Sequence, residues 1–285
     1  GGTHRGFLQR LAQEGGLRRR LWQRLSIYHR ALLAIEKRQF EPGRVKSIIA
    51  VSDEVKRDIV AQYSVDPRRI NVLYNGVDAL RFNPTRRQEY NRWVRQRWGV
   101  PSDVPLVLFV GSGFQRKGLN RLIDIWNQPR CANLYLLVVG DDSRLARYKA
   151  WGESLAPGRI IFAGRQDEIE KYYGAADIVA LPALQEAFGN VVLEALASGV
   201  PVLVSADVGA ATLLTGRLSS GIVERPDDPE YLAQKLVDLL AQAKDPNLHA
   251  TARAVGEAHS WERHFQAIET LLLAACRRPM AAHVS

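Results

Sequence analysis

The sequence predicts an α/β fold built on a doubly wound parallel sheet, and three observations carry that reading. Six short apolar runs recur after residue 105, at 106–110, 134–139, 159–163, 177–181, 201–204 and 221–223. Helical stretches lie between most of them, at 117–128, 143–155, 167–175 and 189–198, with two last helices at 228–242 and 260–276. A glycine-rich turn, Gly111-Ser112-Gly113, follows the first run. Strands that are apolar throughout and alternate with helices belong to parallel sheets covered on both faces. Ligands of such sheets bind at the carboxyl ends of the strands.

The elements before residue 105 are read in the same way. Apolar residues at Leu21, Leu25, Tyr28, Leu32, Ile35 and Phe40 fall near helical spacing, so 17–40 is expected to form one basic amphipathic helix. A β-like run at 47–51 precedes Ser52-Asp53-Glu54, which is N-cap chemistry for a helix over 53–62. A strand at 70–74 then meets the turn Asn75-Gly76-Val77-Asp78, and Pro84 closes the segment. The expected division is 1–74 as the end of one domain, 75–259 as a complete ligand-binding domain, and 260–285 as a terminal helix and tail.

Composition narrows the class. With 46% hydrophobic and 24% charged residues, 285 residues suffice for one large or two ordinary cores. The apolar runs are far shorter than a bilayer span. Two cysteines, Cys131 and Cys276, are too few for a disulfide framework, and the six histidines lack ligand spacing. Residues 1–50 hold eleven Lys/Arg against three acids, so a net +8 of the chain's +9 lies there. A basic leading segment on a neutral body suggests an anionic partner, and residues 5–46 are expected to dock on an anionic membrane surface. Without aromatic platforms or groove-reading motifs, nucleic acid is not the expected partner. The chain opens Gly1-Gly2-Thr3-His4 and its one methionine is Met280, so residue 1 is read as lying inside a longer protein.

Two stretches carry chemistry. In the first, Arg116 and Lys117 follow the glycine turn at the opening of a helix, where cations and free amides could hold a diphosphate; an ordinary βα turn with exposed basic residues would look the same. The second runs from Glu186-Ala187-Phe188-Gly189-Asn190 to Gly199-Val200-Pro201. Its helix opens at Gly189 and offers amides to an anion. Glu194 lies one turn inside that apolar helix, where a carboxylate needs hydrogen-bond donors such as ribose hydroxyls. Asp141-Asp142-Ser143 are read as turn and cap residues in preference to a metal site.

Glu186 and Glu194, seven residues between them and followed by Ala195-x-Ala197-x-Gly199-x-Pro201-Val202, resemble the signature of the retaining GT-B-fold glycosyltransferases (family 4, "glycosyl transferases group 1"). The resemblance continues through Val51-Ser52, Asn75-Gly76-Val77-Asp78, Arg116-Lys117-Gly118, Ala175-Ala176-Asp177 and Ser260-Trp261-Glu262. Within the family, the segment from Ala34 to Gly43, Gly164-Arg165-x-Asp167 and Gln185-Glu186-Ala187 are most similar to the lipopolysaccharide core heptose glucosyltransferases.

The resemblance implies GT-B architecture: a complete Rossmann-like C-terminal domain behind a truncated Rossmann-like N-terminal domain. It implies that Arg116 and Lys117 hold the diphosphate of a nucleotide-sugar donor and stabilise its departure, in place of a metal, with no cofactor. By the same resemblance Glu186 contacts the donor sugar, Phe188, Gly189 and Asn190 supply backbone amides, and Glu194 binds the ribose. Arg165 packs near the uracil, Arg81 reaches the phosphates, and His4 faces the sugar. The activity implied is transfer of a hexose, glucose from UDP-glucose, with retention, onto a lipid-linked saccharide such as the lipopolysaccharide inner core. The place implied is cytoplasmic, peripheral at the inner face of the bacterial inner membrane. A sugar-nucleotide binding module without transfer activity and a UDP-sugar 2-epimerase share these features and remain the alternatives.

Overall fold

The computed structural model describes residues 3–6, 8–10, 26–41 and 43–277. Two parallel sheets organise them. The smaller pairs β1 (Ile48–Ala50) with β2 (Ile70–Val72), in register Ile48 to Ile70. Between these strands runs α2 (Asp53–Tyr63), capped by Ser52, whose Oγ accepts from Val55 N at 3.2 Å. Ala50, Val55, Ile59, Val65 and Ile70 form a small core, closed on one side by the rings of Phe40 and Tyr63 at 4.8 Å.

The larger sheet holds β3 (Leu106–Val110), β4 (Tyr135–Val139), β5 (Ile160–Gly164), β6 (Ile178–Leu181), β7 (Val202–Ser205) and β8 (Ile222–Val223). Its order is β5-β4-β3-β6-β7-β8, with every pairing parallel. Leu106 to Phe109 and Leu136 to Val138 are fully buried, which is why these strands read as uninterrupted apolar runs. The winding reverses between β3 and β6, so the loops after those strands open a crevice at the switch point of the sheet.

Around the sheet lie α3 (Arg87–Trp98), α4 (Leu119–Ile125), α5 (Leu145–Leu155), α6 (Ile169–Ala175), α7 (Asn190–Ala197), α8 (Pro229–Gln242) and α9 (Pro246–Ala258); α10 (Trp261–Arg277) follows. Two of these were not expected from sequence. In α3 only Val94 and Arg95 are buried, so the helix carries almost no apolar period. Arg95 replaces it by donating to Pro101 O at 2.5 Å and Val104 O at 2.9 Å and pairing with Asp177 at 3.2 Å. In α9 the buried face is Leu248, Ala252 and Gly256, with Gly256 lying directly on the backbone of Ala197.

The expected helix over 17–40 is corrected in part. Helix α1 (Ile27–Gln39) starts afresh after Ser26, whose Oγ accepts from His29 N at 3.4 Å. Residues 11–25 fall outside the described residues. The inward face of α1 is also rotated from the expected one: His29 is buried, whereas Tyr28 and Ile35 are exposed. His29 and Glu36 meet polar partners, and these fix the helix phase. Among the described residues no helix is long and apolar enough to cross a membrane.

The smaller sheet leads into the larger through 73–78, which runs beside 259–264. Val77 N donates to His259 O at 2.8 Å, and a ring nitrogen of His264 lies 2.7 Å from Tyr74 O. Gly76 packs against the backbone of Trp261 so closely that no side chain would fit.

Candidate functional site

The loop after β3 folds onto the loop after β6. Gly118 has φ +80°, a left-handed conformation, and a Cβ there would collide with the carbonyl of Pro182. One step along, Leu184 N donates to Arg116 O at 2.9 Å and Arg116 Nη1 donates to Gln185 O at 3.2 Å. These bonds bring the side chains together: Arg116 Nη1 lies 2.7 Å and Lys117 Nζ 3.4 Å from Glu186 Oε2. Lys117 is largely buried because its stem crosses Gly111, where any side chain would overlap it.

The expected free amides near Lys117 are a correction. Lys117 N, Gly118 N and Leu119 N are consumed by Gly113 O, Gln115 O and Phe114 O within the turn, and α4 itself begins only at Leu119. The side chains of Arg116 and Lys117 bring full positive charge to this opening. The turn is held from below by the buried ring of Phe114 and from the side by Asp142, whose Oδ2 accepts from Phe114 N at 2.8 Å. Asp142 Oδ1 accepts from Arg144 N, and Asp141 Oδ1 from Asp142 N, each at 2.8 Å, so both aspartates do serve as turn residues. Among the described residues no cluster of three or more His, Cys, Asp or Glu is placed to hold a metal.

The second loop is anchored to the smaller sheet. Ser52 Oγ donates to Ala187 O at 2.7 Å, and Gly209 N and Ala210 N donate to Glu186 O and Phe188 O. The buried ring of Phe188 stacks on Tyr74 at 6.0 Å. Gly189, with φ +94°, then turns the chain into α7, and no side chain caps that opening. Asn190 accepts from Asn75 Nδ2 at 2.7 Å.

Glu194 faces inward from α7 and takes a 2.6 Å hydrogen bond from the hydroxyl of Tyr173. Burial raises the Glu194 carboxyl above the usual carboxylate range, against the opposing pull of Tyr173, Lys117 and Arg81. Tyr173 is fully buried and held strongly neutral, first by burial and then by Glu194. Arg165 stands exposed at the end of β5 and lines, with Ser112, Asp141, Asp142 and Ser143, a cleft of about 610 Å³ beside the glycine turn.

Two expected members are engaged elsewhere. Arg81 pairs with Glu170 at 2.8 Å and donates to Asp167 O at 2.9 Å, at the start of α6. His4 stacks on His29 with ring centroids 5.1 Å apart, and His4 N donates to Glu36. Sequence reading missed Tyr173; it read Ser52 and Asp142 as cap and turn residues, but their bonds to Ala187 and Phe114 arise only through the fold.

What results is a crevice with two cations above a carboxylate, a helix opening beyond it, and a buried carboxylate that seeks hydroxyl donors. Such a set can hold a diphosphate and a vicinal diol. Comparison with known proteins points the same way. The "Glycosyl transferases group 1" family matches residues 92–255, and "Glycosyltransferase Family 4" matches residues 3–81. The chain is 31% identical over 242 residues to the lipopolysaccharide glucosyltransferase WaaG of Escherichia coli K12, covering 83% of this chain and 63% of that protein. It is 31% identical over 249 residues to a D-inositol 3-phosphate glycosyltransferase of Geodermatophilus obscurus, covering 82% of this chain and 54% of that protein. The chain thus spans less than two thirds of the length of either relative. A crystal structure of WaaG, a glycosyltransferase involved in lipopolysaccharide biosynthesis, superposes with a TM-score of 0.73 at 29% identity, covering 89% of this chain and 68% of that one.

Proposed function

The chain belongs to the glycosyl transferases group 1 family, and from that premise we propose that it carries the nucleotide-sugar site of a hexosyltransferase of GT-B architecture. The observation that carries this reading is the convergence of Arg116, Lys117 and Glu186 at the switch point of the sheet. The donor is UDP-glucose. Its diphosphate takes the place of the Glu186 carboxylate on Arg116 and Lys117, which frees Glu186 to turn to the sugar. Ribose hydroxyls donate to Glu194, uracil lies against Arg165, and the amides of Phe188, Gly189 and Asn190 meet sugar or phosphate. Arg81 reaches the phosphates only by leaving Glu170, and His4 faces the sugar only by leaving His29.

In the reaction the bond from the anomeric carbon to the diphosphate oxygen breaks, and UDP departs with its electron pair. The acceptor hydroxyl oxygen bonds to the same face of that carbon, and its proton passes to the departing diphosphate oxygen. Fixed cations favour the charge that develops on the leaving group, more strongly where water is excluded. They supply what a divalent cation would otherwise supply. The acceptor is a lipid-linked saccharide such as the lipopolysaccharide inner core, met at the inner face of the bacterial inner membrane, with residues 5–46 towards the anionic lipid. The relation to WaaG supports the sugar and the acceptor class.

The test is mass spectrometry of a lipid-linked core acceptor incubated with the protein and UDP-glucose, ADP-glucose or GDP-glucose. A gain of one hexose with UDP-glucose supports the reading. Epimerised free UDP-sugar formed without acceptor, or binding of none of the three sugar nucleotides, contradicts it.

A further inference from the structure

A second cleft, of about 850 Å³, is lined by Ala183 and Leu184 from the loop that carries Glu186, by the loops after β7 and β8, by the start of α4, and by Arg10. Its size is that of a small-molecule site. Asp207, on its rim, touches the catalytic loop directly through Asp207 O, which accepts from Glu186 N at 3.3 Å.

The charges in this cleft are already matched. Arg10 pairs with Asp58 at 3.2 Å, with Asp207 at 3.5 Å and with Glu54. Arg121 is buried between Asp227 at 2.6 Å and Pro182 O at 2.8 Å. Arg225 pairs with Asp228 at 2.8 Å. The donor site sets two cations against one carboxylate, whereas four acids (Asp207, Glu224, Asp227 and Asp228) face three arginines in this cleft, a balance that disfavours an anion. The cleft offers carboxylate oxygens beside guanidinium N–H groups, with Asp207 and Asp227 still 48% and 70% exposed. Among the described residues, Glu224 lines the cleft with no ion pair, and the buried Oδ1 of Asn120, another lining residue, has no hydrogen-bond partner. Hydroxyl groups, each both donor and acceptor, are what such a lining satisfies.

We propose that this cleft is a saccharide subsite, and that it takes the uncharged, polyhydroxylated part of the acceptor while the donor sugar lies on Glu186, in the loop that also lends Ala183 and Leu184 to the cleft. The subsite rests on the hexosyltransferase reading for its purpose but not for its existence. The probe is a deacylated, heptose-containing core oligosaccharide of lipopolysaccharide, titrated by saturation-transfer NMR beside a parallel titration with UDP. Asp207→Asn is expected to weaken oligosaccharide binding about tenfold, the effect of one or two lost charge-assisted hydrogen bonds. Glu224→Trp, a change at an exposed position that fills the cleft, is expected to abolish it. Neither variant is expected to alter UDP binding. Unchanged oligosaccharide binding in both variants, or none to the wild-type chain while UDP binds, would overturn the subsite. Oligosaccharide binding that responds to both variants in a chain blind to UDP would uphold the subsite and contradict the donor assignment.

Discussion

Arg116 and Glu186, 70 residues apart in sequence, meet at 2.7 Å between Nη1 and Oε2. The carboxylate occupies the cations that a diphosphate would use, so the two compete. Removing its charge relieves that competition, because Arg116 and Lys117 then meet an anion without first losing a partner. Glu186→Gln is therefore expected to tighten UDP binding about two- to tenfold by calorimetry while transfer to acceptor collapses. Weaker UDP binding in this variant would show that Glu186 assists the phosphates.

Gly118 joins the two loops of the candidate site by close approach. Its left-handed φ and the carbonyl of Pro182 leave no room for a methyl group. Gly118→Ala should cost about 1–3 kcal/mol in backbone strain alone. Thermal unfolding should show a melting temperature lower by several degrees, with UDP affinity falling as the loops separate. A variant that melts and binds as the wild type does would refute this packing account.

Glu194 makes stability depend on pH in a definite direction. Its raised pKa means that the folded chain holds a proton which the unfolded chain has released, between the ordinary carboxylate value of 4.5 and the raised one. Stability contributed by this group therefore falls as pH rises through that window. Ribose hydroxyls would supply donors to the ionised form, so UDP should bind more tightly as pH rises across the same window. Tyr173→Phe removes the present donor and should destabilise the chain by about 1–3 kcal/mol. Denaturant titrations of both proteins across this pH range check the sign.

His4 carries the opposite dependence. Burial, and after it the neighbouring His29, lower its pKa below 6.5, with Glu36 opposing. The unfolded chain then binds more protons just below 6.5, so the hold of this segment on α1 weakens as pH falls through the ordinary histidine value. Hydrogen-exchange protection factors at residues 4–6, taken relative to the intrinsic rate at each pH, should fall towards acid, and His4→Gln should remove the dependence.

Much of the larger sheet was legible because strands buried on both faces leave continuous apolar runs. The anchors Arg116, Lys117, Glu186 and Glu194 were legible as a motif. What escaped was burial by polar residues. Helix α3 is held by a buried guanidinium at Arg95 and displays no apolar period to read, while the period read in α1 points outward at Tyr28 and Ile35 because His29 is the buried residue. The same holds within the site. Tyr173 carries no local signal, because it acts on Glu194, brought near only by the fold, and Asp142, legible as a turn residue, gives no sign of its bond to Phe114.

The most direct measurement of the central claim is calorimetric titration of UDP into the wild-type chain and into the double variant Arg116→Ala, Lys117→Ala. Loss of two charge-assisted contacts predicts binding weaker by about two orders of magnitude in the variant. Equal affinity in the two proteins would contradict the claim that these cations hold the donor.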